Sequence, residues 1–339
     1  MKNISIILLL VFTGFSWNSC AQSLADQVNS RYEGIESVKV EGVFCDVTVE
    51  PGTTDEVMLE GEIRSTRRTD DYSIEVKKEG SELVVWVEHP RNMIGSVKGF
   101  LVFQAPRDVS FDVENVSGNI DVSDNAASEL SLKSVSGDVT VSGIEGKTKL
   151  QSVSGVIRAS ELGGPLTAKS VSGDQHLSGI KGFLTTGSTS GKISVDMVEG
   201  HAEIGTTSGN ISGRNLLGGV AVKSTSGDVN LDIVREKLTA KSVSGDVIFS
   251  DVTGVLDVRT TSGDQKGKKV MFTDESSFNA ISGDIHVDYD NLEESLGFDL
   301  RSGSGDLSAG GMTADGNLKK SGGEFVIKGS TTSGDQTFM

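Results

Sequence analysis

The sequence is poor in cysteine, proline and aromatic residues, and each shortage excludes a class of protein. Two cysteines among 339 residues cannot build a disulfide framework. Aromatic residues make up 5% of the chain, and 4 prolines stand against 42 glycines. That balance favours many tight turns over one large globular core. Beyond the first 20 residues, no apolar run approaches the roughly 20 residues of a membrane-spanning helix.

Positive charge is also scarce, because 31 Lys and Arg residues face 48 Asp and Glu residues, for a net charge of -17. An acidic surface of this size repels nucleic acid and anionic lipid. We therefore expect no nucleic-acid partner. Membrane association is expected only through a lipid anchor.

The N-terminus has the layout of a secretory signal, which we assign to residues 1–20. Lys2 precedes the apolar residues 4–15, and small and polar residues lead to Cys20. Two outcomes remain open: lipidation of Cys20, or simple cleavage that releases a soluble protein. Either predicts an exported protein in the periplasm, in the outer membrane or at the cell surface. Residues 21–34 read as a polar linker.

An internal repeat is the strongest signal in the chain. A Ser-Gly pair recurs at intervals of 19, then seven times 18, then 20, 22 and 29 residues. Its glycines are Gly118, Gly137, Gly155, Gly173, Gly191, Gly209, Gly227, Gly245, Gly263, Gly283, Gly305 and Gly334. Such a constant period is typical of a solenoid.

Each unit alternates apolar residues on both sides of a second corner glycine. One unit after Gly245 shows the pattern in Val247, Phe249, Val252, Gly254, Leu256 and Val258. Alternation predicts strands with one buried face, and 18 residues leave no room for a helix. The predicted fold is all-β: a parallel β-helix, or β-solenoid, of about twelve coils over residues 111–339. Residues 35–110 lack the repeat and predict an N-terminal antiparallel β cap.

The motif resembles a bacterial family of unknown function that is described as adhesin-like and β-helical. The resemblance rests on three runs of the type Ser-x-Ser-Gly-Asp, beginning at Ser134, Ser224 and Ser242. It extends to the related head-GIN auto-transporter adhesins and covers residues 35–339. It implies a fold and an adhesin-like role, and it supplies no catalytic or ligand residues.

The repeated polar residues are expected to serve the coil itself. A catalytic serine is singular, so we interpret the serines as inward or corner ladders that bond from coil to coil. The structural repeat comprises Ser136, Gly137, Asp138, Ser226, Gly227, Asp228, Ser244, Gly245 and Asp246. Cys45, which lies in a strand-like run, is expected to be a small buried residue.

The aspartates after the glycine allow two interpretations. They could form a row of calcium sites, or each could accept a hydrogen bond from its own turn. The uninterrupted members are Asp228, Asp246, Asp264, Asp284, Asp306 and Asp335. We favour the turn, because Lys192 occupies the same position and would expel a cation. The four histidines share no ligand spacing, so neither a metal nor a cofactor is expected.

The predicted function is a non-catalytic, adhesin-like binding module for an unidentified protein or glycan. Longer units near residues 267–277, 290–296 and 309–323 predict loops, which are the first candidates for recognition. The alternative is a structural or regulatory envelope protein that binds a partner protein. A polysaccharide-active enzyme is the third class. It would need paired carboxylates on one face, and Asp196 and Asp232 form no unique constellation. Oligomeric state is not predicted.

Overall fold

The structure is a computed structural model that describes residues 22–67, 69–93 and 95–339. The predicted secretion signal and the lipidation at Cys20 lie outside these residues. The described chain consists of strands and two single 3-10 turns, at Thr69–Asp71 and Glu293–Ser295. In this part of the chain, no helix is long and apolar enough to cross a membrane.

Nine strands form the N-terminal part. They are β1 (Ser23–Glu33), β2 (Ser37–Glu41), β3 (Cys45–Pro51), β4 (Glu56–Ser65), β5 (Ser73–Glu79), β6 (Glu82–Glu88), β7 (Val97–Ala105), β8 (Ser110–Asn115) and β9 (Ile120–Ser123). The regular coils follow with β10 (Glu129–Ser134), β11 (Val139–Ile144), β12 (Lys147–Ser152), β13 (Ile157–Leu162), β14 (Leu166–Ser170), β15 (Gln175–Ile180), β16 (Leu184–Ser188), β17 (Ile193–Val198), β18 (Ala202–Thr206), β19 (Ile211–Leu216), β20 (Val220–Ser224), β21 (Val229–Ser244) and β22 (Val247–Ser262). The C-terminal part contains β23 (Gln265–Phe272), β24 (Ser276–Ser282), β25 (Ile285–Tyr289), β26 (Leu296–Ala309), β27 (Met312–Lys320), β28 (Phe325–Ser333) and β29 (Gln336–Phe338).

Successive coils pair as parallel strands in an 18-residue register, which confirms the predicted solenoid. Val139 lies beside Ile157 in β11 and β13, and Leu150 lies beside Ala168 in β12 and β14. The strands that follow each motif glycine form the first wall of the solenoid, and the strands that lead up to it form the second wall. About ten turns of about 18 residues result, against the twelve expected, and the last coil joins the stack out of order.

The core lies between the two walls and is filled by the alternating residues. In the coil after Gly245, the side chains of Val247, Phe249 and Leu256 are almost fully buried. Buried aromatic residues concentrate at the two ends, where Phe103 packs against Phe111 with ring centroids 5.6 Å apart and Phe278 packs against Phe338 with ring centroids 5.4 Å apart. The core is therefore narrow and continuous, so that each coil depends on its neighbours.

Both ends of the stack are closed by a coil that inserts out of sequence. At the N-terminal end, β2 pairs in parallel with both β6 and β8, so the first coil lies between two later ones. At the C-terminal end, β28 pairs with β24 on one side and β26 on the other. Each end then finishes with antiparallel strands: β4 and β5 on one, β27 on the other. Such closing strands cover edges that would otherwise promote aggregation.

Two expectations about the flanks change. Residues 23–33 are strand β1 rather than a polar linker, because Ala25, Val28 and Tyr32 pack against the core and the strand pairs with β4. Residues 309–323 are mostly strand β27 rather than a loop. The region 35–110 contains the expected antiparallel pairs, but β2 and β3 run parallel to their neighbours and continue the solenoid.

Candidate functional site

The motif glycine is required by the close approach of consecutive coils. A Cβ atom built on Gly191 would lie 2.6 Å from the carbonyl carbon of Gly173 and closer still to its oxygen. Gly155 and Gly209 face the same obstacle from the glycine one coil before. The backbone at these three positions is not left-handed, so packing and not conformational freedom excludes a side chain.

The inward serine is the one three residues before the glycine, and it closes its own corner. Ser152 Oγ donates to the carbonyl of Gly155 at 2.8 Å, and Ser170 Oγ donates to that of Gly173 at 2.7 Å. A bond from coil to coil also occurs, between Ser170 and Ser188 at 3.1 Å. The serines directly before the glycine, Ser136, Ser226 and Ser244, are exposed at the corner. The predicted bond from coil to coil is therefore present at Ser170 and Ser188, beside the bonds that close single corners.

The aspartates make the connection that was expected of the serines. The amide of Asp246 donates to Asp228 Oδ1 at 3.1 Å, and the amide of Asp264 donates to Asp246 Oδ1 at 2.9 Å. Five of the six carboxylates, all but that of Asp306, thus accept from the next coil, not from their own turn as predicted. The stacking order of the six is Asp228, Asp246, Asp264, Asp284, Asp335 and Asp306, because the final coil inserts out of sequence.

Neighbouring cations lower the pKa of two aspartates in this column. A hydrogen bond from Arg158 holds the pKa of Asp138 below its usual range, and a hydrogen bond from Lys266 does the same for Asp264. Lys192 donates its backbone amide to Asp174, but its side chain has no oxygen that could accept an amide from the next coil, so the ladder is interrupted there. Among the described residues, no group of three or more His, Cys, Asp or Glu side chains could hold a metal ion.

Buried glutamines are part of the core, and the repeat pattern did not reveal them. Gln175 is fully buried and donates to Ser170 Oγ and to the carbonyl of Gly187, while Thr186 donates to its Oε1. Gln265 occupies the corresponding place two residues after Gly263, but its buried Oε1 has no hydrogen-bond partner. Their recurrence two residues after the glycine, where other coils carry Val or Ile, was the available signal.

The residue between the two motif serines points outward. Val135, Val153, Val171 and Val243 are all exposed, and Val171 retains 46% of its surface. Threonines occupy the same column at Thr189 and Thr207. The sequence did not decide whether this residue faces the core or the solvent, because the corner interrupts the alternation. The structure places the column at the surface.

A shallow trough of about 360 Å³ crosses the outer face of the second wall. Its floor is Gly187 in β16 and Gly205 in β18. Lys169 and Lys223 stand at its two ends, in register with the two glycines. Thr189 and Thr207 line one side.

An exposed aromatic pair borders the same face. Phe183 keeps 42% of its surface exposed and contacts His201 of the next coil, with ring centroids 5.5 Å apart. Leu184, Thr186 and Ser188 point inward, so the alternating residues 183, 185, 187 and 189 share the outer face. Glu203 also lies on this face, two residues before Gly205 in the strand and beside Thr185 of the preceding coil.

The residues weighed for catalysis are used otherwise. Asp196 accepts from Asn215, and Asp232 accepts from Ser250. These acids are two coils apart, with Arg214 of the intervening coil in register and 3.5 Å from Asp232. Cys45 is fully buried, and burial raises the pKa of its thiol to about 12. A thiol with so high a pKa is a poor nucleophile.

Comparison with protein families finds a match over nearly all of the described chain. The profile of the family described as "Toastrack DUF4097" matches residues 35–216 and again residues 201–337. The two matches overlap, as expected when a profile meets a continuous array of repeats. No curated protein sequence is significantly similar to the chain.

Two solved structures resemble the chain at low identity. One is a "putative cell adhesion protein" from Clostridium sporogenes, with 9% identity, 92% of this chain and 98% of that chain covered, and a TM-score of 0.19. The other is a "putative lipid binding protein" from Parabacteroides distasonis, with 12% identity, coverages of 93% and 97%, and a TM-score of 0.28. TM-scores this low give no basis for transferring a function.

Proposed function

Since the chain belongs to the Toastrack DUF4097 family, we propose that it acts as a non-catalytic binding module, an adhesin-like rod of the bacterial cell envelope. The proposal rests on the use to which the fold puts its repeated polar residues. The aspartates bond to the next coil, and the inward serines bond within their own corner. The repeat therefore builds a scaffold and leaves its outer walls available for contact.

Catalysis finds little support in the same geometry. Glycoside hydrolysis needs two carboxylates that flank the scissile bond. Asp196 and Asp232 are separated by Arg214, and both already accept hydrogen bonds. Binding across a flat repeated surface needs no such pair, so the geometry favours binding.

The proposed location follows from the N-terminal pattern. Residues 1–20 carry the features of a secretion signal, and Cys20 is placed for lipid attachment. An exported rod, whether anchored or released, would present its walls to a glycan or a protein. The net charge of -17 argues against nucleic acid as the ligand. We also propose that the chain is related to the adhesin-like and head-GIN proteins that its repeat motif resembles.

A second candidate is a structural or regulatory envelope protein that binds a partner protein. The exposed column of Val135, Val153 and Val171 favours it, because contiguous apolar surface marks contacts between proteins. In this case the rod would face the periplasm and its ligand would be another envelope component.

Surface exposure separates the two candidates. Protease is added to intact cells that express the full chain, and the protein is followed by immunoblotting beside a periplasmic marker. Adhesion predicts cleavage in intact cells while the marker survives. Protection in intact cells, with cleavage after permeabilisation, excludes adhesion to outside targets and supports the partner-binding alternative.

A further inference from the structure

The trough on the second wall has no structural cause within the fold. A Cβ atom on Gly205 would meet nothing within 4 Å, and one on Gly187 would meet a single atom at 3.7 Å. Neither glycine has a left-handed backbone. Glycine inside a strand costs about 0.5–1 kcal/mol relative to alanine and often marks the close approach of a ligand. The corner glycines are explained by packing, whereas these two are not.

Cations stand at both ends of this opening on a strongly acidic protein. Lys169 and Lys223 are exposed and form no ion pair among the described residues. Their Cα atoms belong to the first and last of four consecutive strands, so a spacing of about 14 Å follows from the strand separation. The ends of the trough therefore suit an extended ligand that carries negative charge at intervals.

The remaining groups on the face point to a ligand rich in hydroxyl groups. The ring of Phe183 offers an exposed apolar platform against which the C–H face of a sugar can stack. Thr189 and Thr207 can donate and accept hydrogen bonds. The carboxylate of Glu203 accepts hydrogen bonds only, so it suits sugar hydroxyls and repels a polyphosphate, which has no hydroxyl group to donate.

We propose that this trough binds an acidic glycan, with carboxylates at Lys169 and Lys223 and hydroxyl groups at Thr189 and Thr207. A further sugar unit extends beyond the trough along the outer face, past Glu203 to the ring of Phe183. The inference rests on the proposed binding function and names its ligand class and its site. The backbone of Gly187 and Gly205 lets the glycan lie against the sheet. No bond is made or broken.

The test measures binding of oligogalacturonate, a linear polymer of uronic acid, by titration calorimetry at physiological salt. Gly205→Thr places a side chain in the trough, where a Cβ atom meets nothing within 4 Å, and Lys169→Gln with Lys223→Gln removes the end charges. Each is expected to weaken binding at least about tenfold, and Phe183→Ala is expected to weaken it several-fold. Lys268→Gln, which removes one lysine charge from the first wall, should leave binding unchanged. Thermal melts verify that each variant folds.

Three results would overturn the proposal: no binding of oligogalacturonate, equal binding by Gly205→Thr, or equally tight binding of inorganic polyphosphate, which would show ion exchange only. Neutral maltohexaose is expected to bind more weakly than oligogalacturonate. Adherence of cells that display the wild-type or Gly205→Thr chain separates this inference from the broader one. Adherence that survives in the variant refutes the trough and keeps the adhesin, whereas absence of adherence by the wild type refutes the adhesin alone.

Discussion

A methyl group added to a motif glycine should destabilise the whole rod, and Gly191→Ala is the sharpest case. Its Cβ would lie 2.6 Å from the carbonyl carbon of Gly173, whereas carbon atoms in favourable contact are about 3.5–4.0 Å apart. The two coils must therefore separate locally by about 1 Å to restore that contact distance.

Three hydrogen bonds surround the point of separation. Ser190 donates its amide to Val171 at 2.9 Å, Lys192 donates to Asp174 at 2.8 Å, and Gly191 donates to Ser188 Oγ at 2.8 Å. Overpacking alone costs about 1–3 kcal/mol, and a weakened hydrogen bond adds about 1 kcal/mol. We expect Gly191→Ala to lower the free energy of unfolding by about 2–4 kcal/mol.

Gly205→Ala is the matched control, since the same methyl group enters open space on the second wall. Because alanine is better than glycine in a strand, this variant should be neutral or more stable by up to about 1 kcal/mol. The assay is urea unfolding followed by circular dichroism, with hydrogen exchange to locate any local opening. Gly155→Ala and Gly209→Ala serve as internal replicates. Equal stability of Gly191→Ala and Gly205→Ala would refute the argument from coil contact.

Two further predictions concern the corners. Asp284 accepts from the amide of Asp335, and asparagine can accept the same bond, as Asn210 does. Asp284→Asn should therefore preserve or raise the melting temperature, whereas Asp284→Ala should lower it. A chelator should change none of these melting temperatures, and a drop with chelator would indicate structural calcium. Ile233 is held at φ 56°, a conformation that costs a β-branched residue about 1–2 kcal/mol. Ile233→Asn should therefore raise the melting temperature, while Ile248→Asn in an extended strand should lower it. A loss of stability at both sites would contradict the claim that Ile233 is strained.

The buried pattern of a regular coil could be predicted from the sequence because it is local. Val247, Phe249 and Leu256 follow strict alternation between corner glycines, and all three are buried. The motif glycines were likewise visible from their period alone. The partners of the polar side chains were not, because the Ser152 hydroxyl and the Asp228 carboxylate could each bond within their own corner or to an adjacent coil, and only the positions of neighbouring coils decide which carbonyl or amide each one reaches.

The candidate site was out of reach for a related reason. Sequence reasoning placed recognition in the longer C-terminal units, yet residues 309–323 are mostly an end strand. Gly187 and Gly205 looked like two of many glycines in a chain that contains 42. Only the stacking of the coils shows that these two glycines adjoin each other, lie between two lysines and are not required by packing.

The sequence by itself determined the period, the two corners and the residues that face the core, because alternation within a strand depends on neighbouring residues. Tertiary structure alone decided the order of the coils at both ends. There, β2 lies between β6 and β8, and β28 lies between β24 and β26. Those pairings join segments that are distant in the chain, and parallel strands of similar composition do not encode which neighbour they take. The end strands cover the last open strand edges of the stack, so the order of the coils is the one that leaves these edges covered.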